Sequence, residues 1–193
     1  MHGNLQEIIS EGATGTPPVE LTYGRAPKVL SSSFAVVAPH TKEGWSTERV
    51  VKFLDFLLSE RSGIDLDPAR LYVTGHSMGG AGALFAATSK RFAAAVPVAP
   101  SGVPPAERLR GVPIWAFHGK NDVIVPSYIT AELGQSLRQQ GASQEQAKIT
   151  LYDNAPAPPG WPDYFGHAST IPAYAEADLY EWLLQQKLSL ESA

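Results

Sequence analysis

The sequence predicts an α/β protein: a three-layer α/β/α sandwich around a mostly parallel sheet of about five or six strands. Three observations carry this. Short β-branched or aromatic runs alternate with longer segments of helical period along most of the chain. Those runs are apolar at successive positions, as strands covered by helices on both faces require. The 193 residues make one domain, 1–193, long enough to bury roughly 70% of its unfolded surface without staples.

The elements follow in order. Phe34 to Ala38 reads as the first buried strand. From Thr47 to about Ser62, Val50, Phe53, Leu54, Leu57 and Leu58 recur at helical spacing, with Glu48 in the first turn and Gly63 at the stop. Leu71 to Thr74 is a strand ending at Gly75, and Met78 to about Ser89 is an Ala- and Gly-rich helix that can lie close to a sheet. Ala94 to Ala99 is a further strand, in which Pro97 favours a place where its missing N–H is not needed. Pro113 to Phe117 is the next strand, then a helix starting near Pro126 with Ile129, Leu133 and Leu137 on one face, and a strand from Lys148 to Tyr152. A closing helix begins near Pro172 and carries Leu179, Tyr180, Leu183 and Leu184.

Composition narrows the chemistry. Hydrophobic residues make up 44% and charged residues 18%, with 17 Gly and 16 Pro, which is globular usage rich in turns. There is no cysteine, which excludes disulfides, Cys-ligated zinc, iron–sulfur clusters and a thiol nucleophile. A net charge of −4 with no basic run gives no support to a nucleic-acid or anionic-membrane surface. No apolar stretch approaches the ~20 residues of a membrane span. Met1 to Glu7 lacks a basic region followed by an apolar one, so the expectation is a cytoplasmic protein, or a secreted one whose signal was removed.

Gly75-His76-Ser77-Met78-Gly79 matches G-x-S-x-G between a predicted strand and a predicted helix, where the motif has mechanical meaning. The turn is so tight that the serine is strained, and the flanking glycines avert collisions between strand and helix. Ser77 is thereby lifted above the sheet at a helix N-terminus, with the Met78 N–H aimed where a tetrahedral oxyanion develops. A serine hydroxyl needs a histidine base and an orienting acid, and for this elbow the chain order is Ser, Asp, His. Asp122 follows the fourth expected strand and is the best acid, with a turn or cap role as its plain alternative and Asp153 and Asp163 as fallbacks. Of the five histidines only His167 lies between the last strand and the last helix. His118 sits near Asp122 at a strand end and is placed to orient that loop. His76 diverges from Ser77 on the turn and packs under the elbow. Residues 155–166 are rich in proline and aromatics, either a plain connector or, as proline permits, an ordered pocket wall. No metal-ligand spacing stands out, and no cofactor is expected.

Together the runs Arg70 to Gly80, Arg91 to Pro97, Val112 to Gly119 with Asp122, and Leu179 to Leu184 resemble the α/β-hydrolase superfamily. The nearest likeness is to its small esterases and predicted peptidases related to polyhydroxybutyrate depolymerases and feruloyl esterases. The resemblance covers roughly residues 34–187. It implies a Ser77–His167–Asp122 triad that hydrolyses carboxylic esters through an acyl-enzyme. The family's His-Gly oxyanion motif falls on His2-Gly3-Asn4, with almost nothing before it, so the fold is expected to be N-terminally reduced. Asn4 and Met78 are the expected oxyanion donors, with the region of Trp45 as another source. Trp45, His76, Trp161, Tyr164 and Phe165 are the expected pocket residues.

The implied function is a serine carboxylesterase for short-chain acyl or aryl esters, since the sequence offers no separate lid domain. The alternatives are a peptidase or polymer-acting (feruloyl or polyester) esterase, and a truncated, inactive homologue acting as a binding module. The expected partner is a small-molecule ester, with a dimer or companion domain as a way to complete the reduced sheet.

Overall fold

The structure, a computed structural model, describes residues 15–189. Helices α1 (Pro17–Thr22), α2 (Lys28–Ser33) and α3 (Thr47–Leu57) precede β1 (Tyr72–His76), α4 (Met78–Ala87) and β2 (Ala94–Val98). Then follow β3 (Ile114–Gly119), α5 (Tyr128–Gln139), β4 (Ala147–Tyr152), α6 (Thr170–Ala175) and α7 (Ala177–Gln185). The described strands form one parallel sheet in chain order, β1-β2-β3-β4.

Side chains alternate across a strand, so β2 and β3 serve two cores at once. Val96, Val98, Trp115 and Phe117 pack on one face with Leu30 of α2, Tyr174 of α6 and the Leu179–Leu183 stripe of α7. Ala95, Ile114 and Ala116 face the other way, against Leu84 and Ala87 of α4 and Leu133 and Leu137 of α5. This is the expected three-layer sandwich. The small residues of α4 act as foreseen: a Cβ on Gly80 would come within 2.7 Å of the Val98 carbonyl oxygen, so α4 sits directly on β2.

Pro97 does not lie at an edge, because β2 pairs on both sides. Its nitrogen faces β3 between the bonds Ala95 N–H to Pro113 O (3.0 Å) and Ala99 N–H to Phe117 O (2.8 Å), so one rung of that ladder is missing and the expected place where the N–H is not needed is not the one found. The ladder to β3 is accordingly sparse, with register pairs Ala95↔Ile114 and Val98↔Phe117, whereas β1 pairs with β2 at every residue from Tyr72↔Ala94 to His76↔Val98.

The strand expected at Phe34–Ala38 is not formed, so the sheet has four strands among the described residues rather than five or six. Phe34 closes α2, and its ring lies 5.8 Å from those of Tyr72 and Tyr180. Residues 35–40 make no backbone hydrogen bond within the described residues, and Val36 and Val37 are 37% and 41% exposed. An apolar run supplies burial, but a strand also needs a neighbour to bond. Other boundaries tightened. The helix from Thr47 stops at Leu57 and a 3-10 turn, Glu60–Ser62, carries the chain to left-handed Gly63. The closing helix is two, separated at extended Glu176. Among the described residues no helix is long and apolar enough to cross a membrane.

Candidate active site

β1 runs straight into the elbow. Ser77 has φ 56° and ψ −114°, a conformation that a residue with a Cβ adopts only under surrounding constraint. The constraint is visible in the backbone. Ser77 N–H donates to Val98 O at 2.9 Å, and Ser77 O accepts from Ala81 N–H (3.0 Å) and Ser101 N–H (3.1 Å). A Cβ on Gly75 would collide with the backbone of Gly79, so this glycine is obligatory. Gly79 itself meets nothing within 4 Å among the described residues, and the second crowded glycine is Gly80, one place later than the motif suggested. Met78 opens α4 with an exposed side chain and its N–H at the helix start.

The acid and the histidine meet as the chain order implied. His167 Nδ1 lies 2.8 Å from Asp122 Oδ2, and the two side chains are 2% and 0% exposed. A carboxylate only accepts, so Nδ1 carries the proton and Nε2 is left with a free lone pair. Asp122 also serves the turn, since Oδ1 accepts the N–H groups of Ile124 (2.8 Å) and Val125 (2.9 Å). Burial alone would raise the Asp122 carboxyl. Hydrogen bonds from His118, His167 and the Val125 and Ile124 amides outweigh burial and hold it well below the usual carboxylate range. Of the fallback acids, Asp153 is exposed and paired with Lys120 at 2.6 Å, and Asp163 is exposed.

The proline-rich segment is tied to the acid loop and is no loose connector. Asn121 donates to Ala155 O (2.9 Å) and accepts from Ala155 N–H (2.8 Å), and Val123 N–H donates to Phe165 O at 3.1 Å. Left-handed Gly166 fits where a Cβ would strike the Asn121 backbone. Trp161 and Tyr164 pack edge-to-face at 5.2 Å, and the Tyr164 ring lies 6.3 Å from that of His167. Trp161 (47%) and Phe165 (56%) stand out into solvent beside the acid–histidine pair.

The remaining expected residues are less closely gathered. Trp45 packs on Gly82, one helical turn along α4 from Met78, and lines a cleft with Pro39, His40, Arg49 and Phe53. None of the acid–histidine pair or Ser77 lines that cleft. Asn4 lies outside the described residues. His76 does pack under the elbow: its Nε2–H donates to His167 O at 2.6 Å, with the rings 4.5 Å apart. Ser77 Oγ and His167 Nε2 have no hydrogen-bond partner among the described residues, an open geometry common before substrate binds.

Burial, then the neighbouring His167, pull the His76 imidazole down to about 4. The unfolded chain takes up that proton near 6.5, so stability is full at neutral pH and falls as pH drops from about 6.5 to 4, by up to about 3 kcal/mol. Asp122 adds a second loss below the ordinary aspartate value of 3.8. Urea midpoints measured across this range should decline in the wild type and decline less in His76→Phe. Equal slopes would remove His76 as the cause.

This geometry can be set beside known proteins. The family described as PET hydrolase-like matches over residues 25–149, a span that includes Ser77 and Asp122. The chain belongs to that family. The PET hydrolase-like chain has the α/β-hydrolase fold, and it is 30% identical to a thermostable esterase of known structure, with TM-score 0.64 over 77% of this chain and 42% of that one. A putative dienelactone hydrolase from Klebsiella pneumoniae subsp. pneumoniae MGH 78578 shares the fold at 22% identity and TM-score 0.54, over 72% of this chain and 62% of that one. The chain thus spans less than two thirds of the length of either structure. No curated protein matches it.

Proposed function

We propose that this protein is a serine carboxylic ester hydrolase acting through Ser77, His167 and Asp122. The observation that carries the reading is the buried 2.8 Å bond from His167 Nδ1 to Asp122 Oδ2, tied by the 2.6 Å bond between His76 Nε2–H and His167 O to an elbow that holds Ser77 at φ 56°. In the proposed cycle Ser77 Oγ adds to the acyl carbon while His167 Nε2 takes its proton. The oxyanion is met by the Met78 N–H, with Asn4 as the second proposed donor. The bond to the alcohol breaks as His167 returns the proton to the leaving oxygen, giving an acyl-enzyme. Water, deprotonated by the same nitrogen, adds to it, and the acid departs as Ser77 regains its proton.

Short-chain acyl or aryl esters are the proposed substrates, with Trp161, Tyr164 and Phe165 as one wall of the site, supported by their position beside His167. Hydrolysis of p-nitrophenyl esters from acetate to palmitate should peak at short chains. Trp161→Ala should raise KM by about 3–10-fold, the worth of a partly exposed aromatic contact, and alter chain-length preference. An unchanged profile would remove Trp161 from the site. A second reading, an esterase acting on polymers, is favoured by the exposure of Trp161, Phe165 and, at 64%, Val123 around the acid–histidine pair. Release of soluble products from an aromatic polyester film, set against the soluble esters, separates the two.

A further inference from the structure

His118 is fully buried near the end of β3, four residues after the strand begins and four before Asp122. Its Nε2 lies 3.0 Å from Val125 O and 3.3 Å from Asp122 Oδ2, the same oxygen that takes the His167 proton. Both neighbours can only accept, so Nε2 carries a proton, with its main bond to Val125 and a longer branch to the carboxylate. Nδ1 lies 2.7 Å from Thr130 Oγ1 on α5 and accepts from that hydroxyl, itself fully buried. Val125 N–H donates in turn to Asp122 Oδ1 at 2.9 Å. The result is a closed ring: Asp122 Oδ1, Val125 N–H, Val125 C=O, His118 Nε2–H, Asp122 Oδ2.

We infer that His118 is a positioning residue, holding the Asp122 carboxylate in the plane where Oδ2 faces His167 Nδ1. This rests on the hydrolase reading above. Without the ring, Oδ1 keeps its two amides, but Oδ2 has His167 as its sole donor among the bonds described, and the carboxylate can swing about its Cβ–Cγ bond. Val125 C=O would also be left buried without its partner, loosening the turn that carries the acid. Thr130 bonds the other ring nitrogen and holds the imidazole in that orientation, so β3, the acid loop and α5 are bound through one imidazole.

The test compares the wild type with His118→Phe, which keeps a planar ring but no N–H, and His118→Gln, whose amide N–H reaches the position of Nε2. With p-nitrophenyl acetate, His118→Phe should lower kcat by about 10–100-fold and leave KM within about two-fold, the pattern of a misplaced base. His118→Gln should recover most of that loss. In parallel, the low-field proton NMR signal of His167 Nδ1–H should shift and broaden in His118→Phe and return towards its wild-type position in His118→Gln. The inference is overturned if His118→Phe keeps its kcat, or if both variants fall alike while the signal stays put. Should His118→Phe fail to fold, Thr130→Val removes the hydroxyl at Nδ1, and an unmoved signal there overturns it equally. The proton signal needs no turnover, so a wild type that hydrolyses no ester defeats the hydrolase reading while the role of His118 is still decided.

Discussion

Asp122→Asn should lower kcat on a short p-nitrophenyl ester by about 10⁴-fold with little change in KM. Two backbone amides, from Ile124 and Val125, point at Oδ1, so an amide at this position will keep its oxygen there. Its NH2 then faces His118 Nε2 and His167 Nδ1, both of which now donate. To avoid donor against donor, His167 must move its proton to Nε2, and the base that would accept from Ser77 is lost. Because asparagine is nearly the same size, thermal stability should fall only by the worth of weakened polar contacts, about 1–3 kcal/mol. Retention of kcat within about ten-fold of wild type would show that Asp122 does not set the histidine tautomer.

Gly166→Ala is expected to damage the fold as well as the site. Gly166 has φ +79°, and a Cβ there would strike the Asn121 carbonyl and the Asp122 N–H, both of them backbone. Left-handed strain alone is about 1 kcal/mol. The collision adds to it, because the loop bearing His167 must back away from the loop bearing Asp122, breaking the Val123 N–H to Phe165 O bond as well. A loss of about 3 kcal/mol or more and of most activity is expected. Gly160 is the matched control. It has φ +78° in the same segment with nothing within 4 Å, so Gly160→Ala should cost only the strain. Equal Tm shifts for the two variants would show that the close approach of the loops is not required.

These effects trace back to features of unequal visibility in the sequence. The elbow was legible because a serine between glycines at a strand-to-helix junction has a single steric solution, and the Ser, Asp, His order then selected Asp122 and His167. Gly80 was not distinguishable from Gly79, since only the packing of α4 on β2 decides which glycine is crowded. The run Phe34 to Ala38 has strand composition, but pairing is a property of the neighbour. There the chain uses one residue, Phe34, to plug the gap between Tyr72 and Tyr180. Pro97 follows a similar rule: the residue type names the missing donor, but whether that nitrogen faces a paired neighbour is decided by the sheet around it. The break at Glu176 lay inside a helical apolar pattern. Its carboxylate takes the Tyr152 hydroxyl at 2.5 Å, a contact over 24 residues that periodicity does not encode. His118 was visible as a neighbour of Asp122, whereas its share in the carboxylate oxygen required the fold of the 119–125 turn.

The central claim is that Ser77 is an activated nucleophile, and covalent labelling tests it most directly. Wild-type protein and Ser77→Ala would be treated with an alkyl fluorophosphonate and their intact masses and peptides measured, alongside hydrolysis of p-nitrophenyl acetate. The account expects one adduct on the peptide bearing Ser77, none in Ser77→Ala, and a loss of about 10⁴–10⁶-fold in kcat in that variant. An unlabelled wild type, or equal hydrolysis by both proteins, would contradict it.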